Sequence, residues 1–72
     1  MIRYNFETDV SKLNDAEVLI SVLKSFYRNA KIRFDLNHKR KLLIIKSKEA
    51  QNNNHIVVHL LERFGFKCIE IA

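Results

Sequence analysis

Proline and tryptophan are missing from the 72 residues, and glycine and cysteine occur once each. A lone cysteine, Cys68, excludes an internal disulfide, so packing alone must hold the fold, and a reducing cytoplasm is the expected home. With its single glycine at position 65, the chain has no glycine-rich loop able to cradle a phosphate. No run of about 18 apolar residues occurs, which leaves no candidate membrane span. The opening Met1-Ile2-Arg3-Tyr4 reads as strand and lacks the apolar core of a signal peptide. Catalytic groupings are missing too. Ser11, Ser21, Ser25 and Ser47 sit in ordinary loop, helix or strand positions, the acidic residues are scattered, and neither enzymatic activity nor a cofactor is expected.

Apolar residues make up 47% of the chain, enough for one core and too many for disorder. So short a chain is one domain, residues 1–72, that buries only about 60% of its unfolded surface. Its stability is expected to be a few kcal/mol. The net charge is +5, clustered in Lys39-Arg40-Lys41, Lys46 and Lys48, with Lys24, Arg28, Lys31 and Arg33 upstream. Such an excess speaks to partners and solubility, not to fold.

Ile2, Tyr4 and Phe6 alternate with Arg3, Asn5 and Glu7, the period of a half-buried strand. Thr8 to Leu13 reads as a loop, and Asn14 with Glu17 resembles a capping box. Val18, Leu19, Val22, Leu23 and Phe26 then form an apolar stripe at helical spacing, with the helix stopping near Asn29. Ile32, Phe34 and Leu36 mark a second strand, Asn37 to Arg40 a polar turn, and Leu42 to Ile45 a strand buried on both sides. A polar loop from Glu49 to Asn54 precedes a second helix, capped by Asn52, Asn53 or Asn54 and buried through Val57, Leu60, Leu61 and Phe64. Gly65 suits the helix end, and Phe66 to Ile71 is the closing strand. The expected core is Tyr4, Phe6, Leu19, Val22, Leu23, Phe26, Ile32, Phe34, Leu43, Ile45, Val57, Leu60, Leu61, Phe64 and either Ile69 or Ile71.

Strand, helix, strand, strand, helix, strand implies an α+β class. With right-handed crossovers it gives a ferredoxin-like βαββαβ sandwich: a four-stranded antiparallel sheet, the first and third strands central, both helices on one face.

Three segments resemble the heavy-metal-associated domain family, which includes copper chaperones. They are Phe34-Asp35-Leu36-Asn37-His38, Lys41-Leu42-Leu43-Ile44-Ile45 and Leu60-Leu61-Glu62-Arg63-Phe64-Gly65-Phe66-Lys67, with Phe6-Glu7-Thr8-Asp9-Val10 extending the likeness to the first strand. The resemblance implies the fold. The family's chemistry lies in a Cys-x-x-Cys loop after the first strand, where two thiolates hold a soft metal. Here that loop is Asp9 to Ala16 and contains no cysteine; Lys12 and Asp15 fall where the thiols would be. The expectation is a domain of this type with its metal site lost, acting as a non-catalytic binding module that docks an acidic protein through its basic surface.

Other readings rest on particular residues. His55 and His59 stand four apart on the second helix with Glu62 one turn on, a spacing that can present two imidazoles and a carboxylate to zinc. Cys68 offers one soft ligand, but its place in a strand marks it as a packing residue. A nucleic-acid-binding module shares the strand order, and Arg3, Lys31, Arg33, Lys46 and Lys48 would make the open sheet face basic. The third strand, though, carries no aromatic, and Tyr4 and Phe6 share the parity of the buried side. The candidate anion-binding set is Lys31, Arg33, Lys39, Arg40, Lys41, Lys46 and Lys48, able to take a protein partner or, weakly, any polyanion. A monomer or weak homodimer is expected, with no membrane partner.

Overall fold

Strict alternation over Ile2–Thr8 produces the first strand, β1, at the centre of the sheet. The computed structural model describes residues 2–48 and 54–71. In chain order the elements are β1 (Ile2–Thr8), α1 (Leu13–Lys24), β2 (Lys31–Asp35), β3 (Leu42–Ser47), α2 (Asn54–Arg63) and β4 (Cys68–Ile71). The four strands form one sheet in the order β2-β3-β1-β4, and all three pairings are antiparallel. β1 and β3 are therefore central, and each helix joins two strands that have one other strand between them.

Register assigns the two faces. Phe6 lies opposite Leu43, which lies opposite Phe34, and Tyr4, Ile45 and Ile32 form the next row. Directly opposed residues share a face, so this is the core side. Leu19 and Leu23 from α1 and Val57 and Leu61 from α2 join Phe6, Leu43 and Ile45 in a single buried cluster. The intervening rows are Arg3–Lys46–Lys31, Asn5–Ile44–Arg33 and Glu7–Leu42–Asp35. They make up the other face, and none of their residues belongs to that cluster. Ile44 is nonetheless only 2% exposed. It lies at the middle of a central strand, where the stems of Arg33 and Lys46 can lie against it.

Both helices depart in detail from the sequence expectation. α1 begins at Leu13, with Lys12 in extended conformation at its N-cap and no capping side chain, so the expected Asn14 box does not form. The cause lies upstream. Val10 is fully buried; its N–H donates to Thr8 Oγ1 (3.2 Å), which donates in turn to the carbonyl of Lys41 (2.6 Å). That anchor leaves only Ser11 between Val10 and the N-cap. α1 also ends early, at Lys24 rather than near Asn29, where the amides of Phe26 and Tyr27 converge on the carbonyl of Leu23. The buried stripe of α1 and the turn that follows it is Ala16, Leu19, Leu23 and Tyr27, so Phe26 is 56% exposed and Val18 also faces outward. The sequence pattern favours the larger apolar residues; the buried line instead runs through an alanine and a tyrosine.

α2 closes on a Schellman motif: the amide of Phe66 donates to the carbonyl of Leu61 (2.9 Å) and that of Gly65 to Glu62 (3.0 Å). The motif needs a left-handed residue, supplied by Gly65 at φ +88°. The turn leaves Phe64 48% exposed and brings Phe66 against the core in its place. In β4 the core position belongs to Cys68, while Ile69 lies on the other face at 47% exposure and Ile71 is half-buried there. The loop expected from Glu49 and the caps Asn52 and Asn53 lie outside the described residues. Asn54 is the first residue of α2, and its side-chain amide donates to Glu70 (2.9 Å).

Candidate anion-binding face

Three cations widely separated in sequence form one row across the uncovered side of the sheet. Arg3 on β1 lies opposite Lys46 on β3, which lies opposite Lys31 on β2. Neighbouring strands are about 4.8 Å apart, so the three Cα atoms span roughly 10 Å. Arg33, two residues along β2 on the same face, extends the row to a corner. Like charges directly opposite on adjacent strands repel and destabilise a sheet. Among the described residues no carboxylate pairs with Lys31, Arg33 or Lys46, and the Arg3 Nε–H donates to the neutral Oδ1 of Asn5 (3.0 Å).

The same face has the opposite character at its far end. There Glu7, Leu42 and Asp35 form a row, and Glu7 is bound by Arg40 through Nε (2.7 Å) and Nη2 (2.6 Å). Arg40 is thus occupied within the fold. Lys41, at φ +50°, donates its ammonium to the carbonyl of Leu36 (2.9 Å) and helps to hold the hairpin turn. Lys39 is exposed at the tip of that turn. The predicted cationic set therefore divides. Lys31, Arg33 and Lys46 converge with Arg3, while Lys39, Arg40 and Lys41 lie at the opposite end of the strands, two of the three already engaged.

At the cationic end the chain also forms a groove of about 580 Å³, lined by residues 25–30 with Ser47 and Lys48. Lys48 follows the end of β3, and Lys31 follows the last groove residue, Ala30. The row and the groove consequently meet around one end of the sheet.

The other candidate residues stay apart. His55, His59 and Glu62 are all exposed. The imidazole centroids are 6.1 Å apart and nearly perpendicular, and His59 Nδ1 lies 4.0 Å from the Glu62 carboxylate. Among the described residues no group of three or more His, Cys, Asp or Glu side chains is placed to hold a metal ion. Cys68 is buried under the helices, where burial, then the carboxylates of Glu62 and Glu70, push its pKa up to about 12. The loop between β1 and α1 is closed by its own hydrogen bonds: Asp9 Oδ1 accepts the Lys67 amide (2.8 Å), Thr8 ties it to the hairpin, and Lys12 and Asp15 supply no soft donor.

No family model matches this chain, and neither the curated proteins nor the solved structures compared with it gave a match.

Contiguity, the only proximity a linear sequence offers, puts the cationic centre on the Lys39-Arg40-Lys41 triplet. It leaves Arg3 as a basic sheet residue outside the candidate set. Register brings it to Lys46. The repulsion in this row is open to measurement. Replacing Lys46 by Glu places a carboxylate between two cations and should stabilise the domain by about 0.5 kcal/mol at low ionic strength. Added salt should stabilise the wild type and narrow that gap. Urea denaturation of both proteins at low and high salt checks this; equal or lower stability for the variant at low salt would show that the row carries no strain.

Proposed function

We propose that this domain is a non-catalytic binding module that docks an anionic partner through the basic half of its open sheet face. The observation that carries the reading is the Arg3–Lys46–Lys31 row, a line of positive charge that no carboxylate among the described residues pairs with, on the side of the sheet away from the helices. A protein that needed charge only for solubility would gain by dispersing it; here three cations occupy mutually unfavourable positions. Stability given up at a surface that another molecule later neutralises is the usual signature of a binding site.

The fold belongs to the same reading. Two strand-helix-strand units with a central β1-β3 pair support a ferredoxin-like sandwich. On that view the chain is a relative of heavy-metal-associated domains whose loop from Asp9 to Ala16 now carries Lys12 and Asp15 where the family has thiols. No helix of the described residues is long and apolar enough to cross a membrane, and a cytoplasmic setting suits the single buried thiol.

The test is an amide-shift titration with polyglutamate and with inorganic polyphosphate at low salt. Shifts should centre on residues 2–5, 31–33 and 44–48. Affinity should fall steeply with salt, and Lys31→Gln with Lys46→Gln should reduce the slope of log affinity against log salt by about 0.7–0.9 for each cation removed. Shifts centred instead on Lys39 to Lys41 would overturn the proposal, and so would the absence of binding to any polyanion.

A further inference from the structure

We infer that the anionic partner is a single-stranded nucleic acid, with phosphates on the Arg3–Lys46–Lys31 row and a base stacked on Phe26 at the adjoining groove. The inference rests on the binding-module reading and narrows it.

The argument begins with Phe26. Phe26 is 56% exposed while the next residue, Tyr27, fills the core position. The chain thus places one aromatic ring inside and leaves the other outside, just beyond the end of α1. This outer ring is no isolated surface phenylalanine. It lines the groove together with Arg28, Asn29, Ser47 and Lys48, so an aromatic ring stands beside cations and hydrogen-bonding groups in a mainly polar groove.

Continuity supplies the second step. Lys46 and Lys48 flank Ser47 at the end of β3, and Lys31 opens β2 immediately after the groove. Chain connectivity thus leads the cationic line from Lys46 and Lys31 at the sheet end to Lys48 and Ala30 in the groove that Phe26 lines. A ligand able to follow it must alternate negative charge with flat apolar surface along a flexible backbone. Single-stranded nucleic acid does so at every nucleotide, and this combination of a basic track with an aromatic platform is how such strands are held without sequence preference. An acidic protein would satisfy the cations and leave Phe26 without a partner of its shape. A duplex would offer phosphates while keeping its base faces stacked inside.

The experiment uses fluorescence anisotropy of the intact domain with a labelled ten-nucleotide oligothymidine at low salt, with a duplex of equal length and polyglutamate as competitors. Single strand should bind most tightly. Phe26→Ala should weaken it about tenfold while leaving the salt slope unchanged, and Phe26→Tyr should restore it. Lys31→Gln with Lys46→Gln should weaken binding and lower the slope. A thermal melt of each variant establishes that the fold is retained. If Phe26→Ala binds as the wild type does, or if duplex or polyglutamate competes as well as single strand, the nucleic-acid inference fails while the anionic-partner reading stands. If none of the three polyanions binds, both fail.

Discussion

Leu23→Ala should destabilise the domain by about 2–5 kcal/mol, whereas Phe26→Ala, three residues on, should change stability by about 0.5 kcal/mol or less. Leu23 is fully buried in the cluster that joins α1 to the sheet. Its truncation removes apolar contact and leaves a cavity, because the surrounding Phe6, Leu19 and Leu43 belong to three different elements and cannot all move in. A domain of this size has only a few kcal/mol to lose, so much of the Leu23→Ala protein should be unfolded at 37 °C. Phe26 presents the opposite case. The larger side chain should matter less, since more than half of it already meets water. Urea titrations of the two variants settle the matter. Comparable losses would mean that α1 and the turn after it pack through the side carrying Val18, Val22 and Phe26, and not through Ala16, Leu19, Leu23 and Tyr27.

The second large effect concerns Cys68. Its pKa is pushed from an ordinary 9.0 to about 12, so near pH 8 the folded protein holds roughly a thousandfold less thiolate than the unfolded chain. Thiolate is the reactive form. Alkylation by iodoacetamide should therefore run about a thousandfold slower in the native protein than in denaturant, or slower still given the burial of the sulfur. A native rate within tenfold of the denatured rate would contradict this placement. The same shift has a consequence for stability. A thiol whose folded pKa is raised ionises first in the unfolded chain, so its contribution is complete below pH 9 and is lost as pH climbs towards 12. Tyr27, whose pKa is also raised by burial and by the neighbouring Tyr4 and Glu70, acts in the same direction. Stability should therefore fall across the alkaline range, and less steeply in Cys68→Ala.

The cationic row shows how far local pattern reaches. Alternation along β1 and β2 is enough to put Arg3 opposite in face to Tyr4, and Lys31 and Arg33 opposite to Ile32. In β3 it is not, because Leu42 to Ile45 is apolar on both sides and either parity satisfies the pattern. Once Tyr4 pairs with Ile45, Lys46 must join Arg3, and the row follows. Phe26 shows the same limit in a helix. The stripe Val18, Leu19, Val22, Leu23, Phe26 has helical spacing, yet so does Ala16, Leu19, Leu23, Tyr27. Only the position of the helix against the sheet distinguishes them.

What the sequence determined by itself is the kind and order of the elements, because apolar period and Gly65 act within a few residues of chain. The antiparallel four-stranded sheet with its two helices follows the same local logic. The tertiary structure alone decided the register between strands, which side of α1 is buried, and which cations meet. Arg3, Lys31 and Lys46 are far apart along the chain and become adjacent only when backbone hydrogen bonds between strands align them, an alignment chosen by the burial of Phe6, Leu43 and Ile45 on the opposite side.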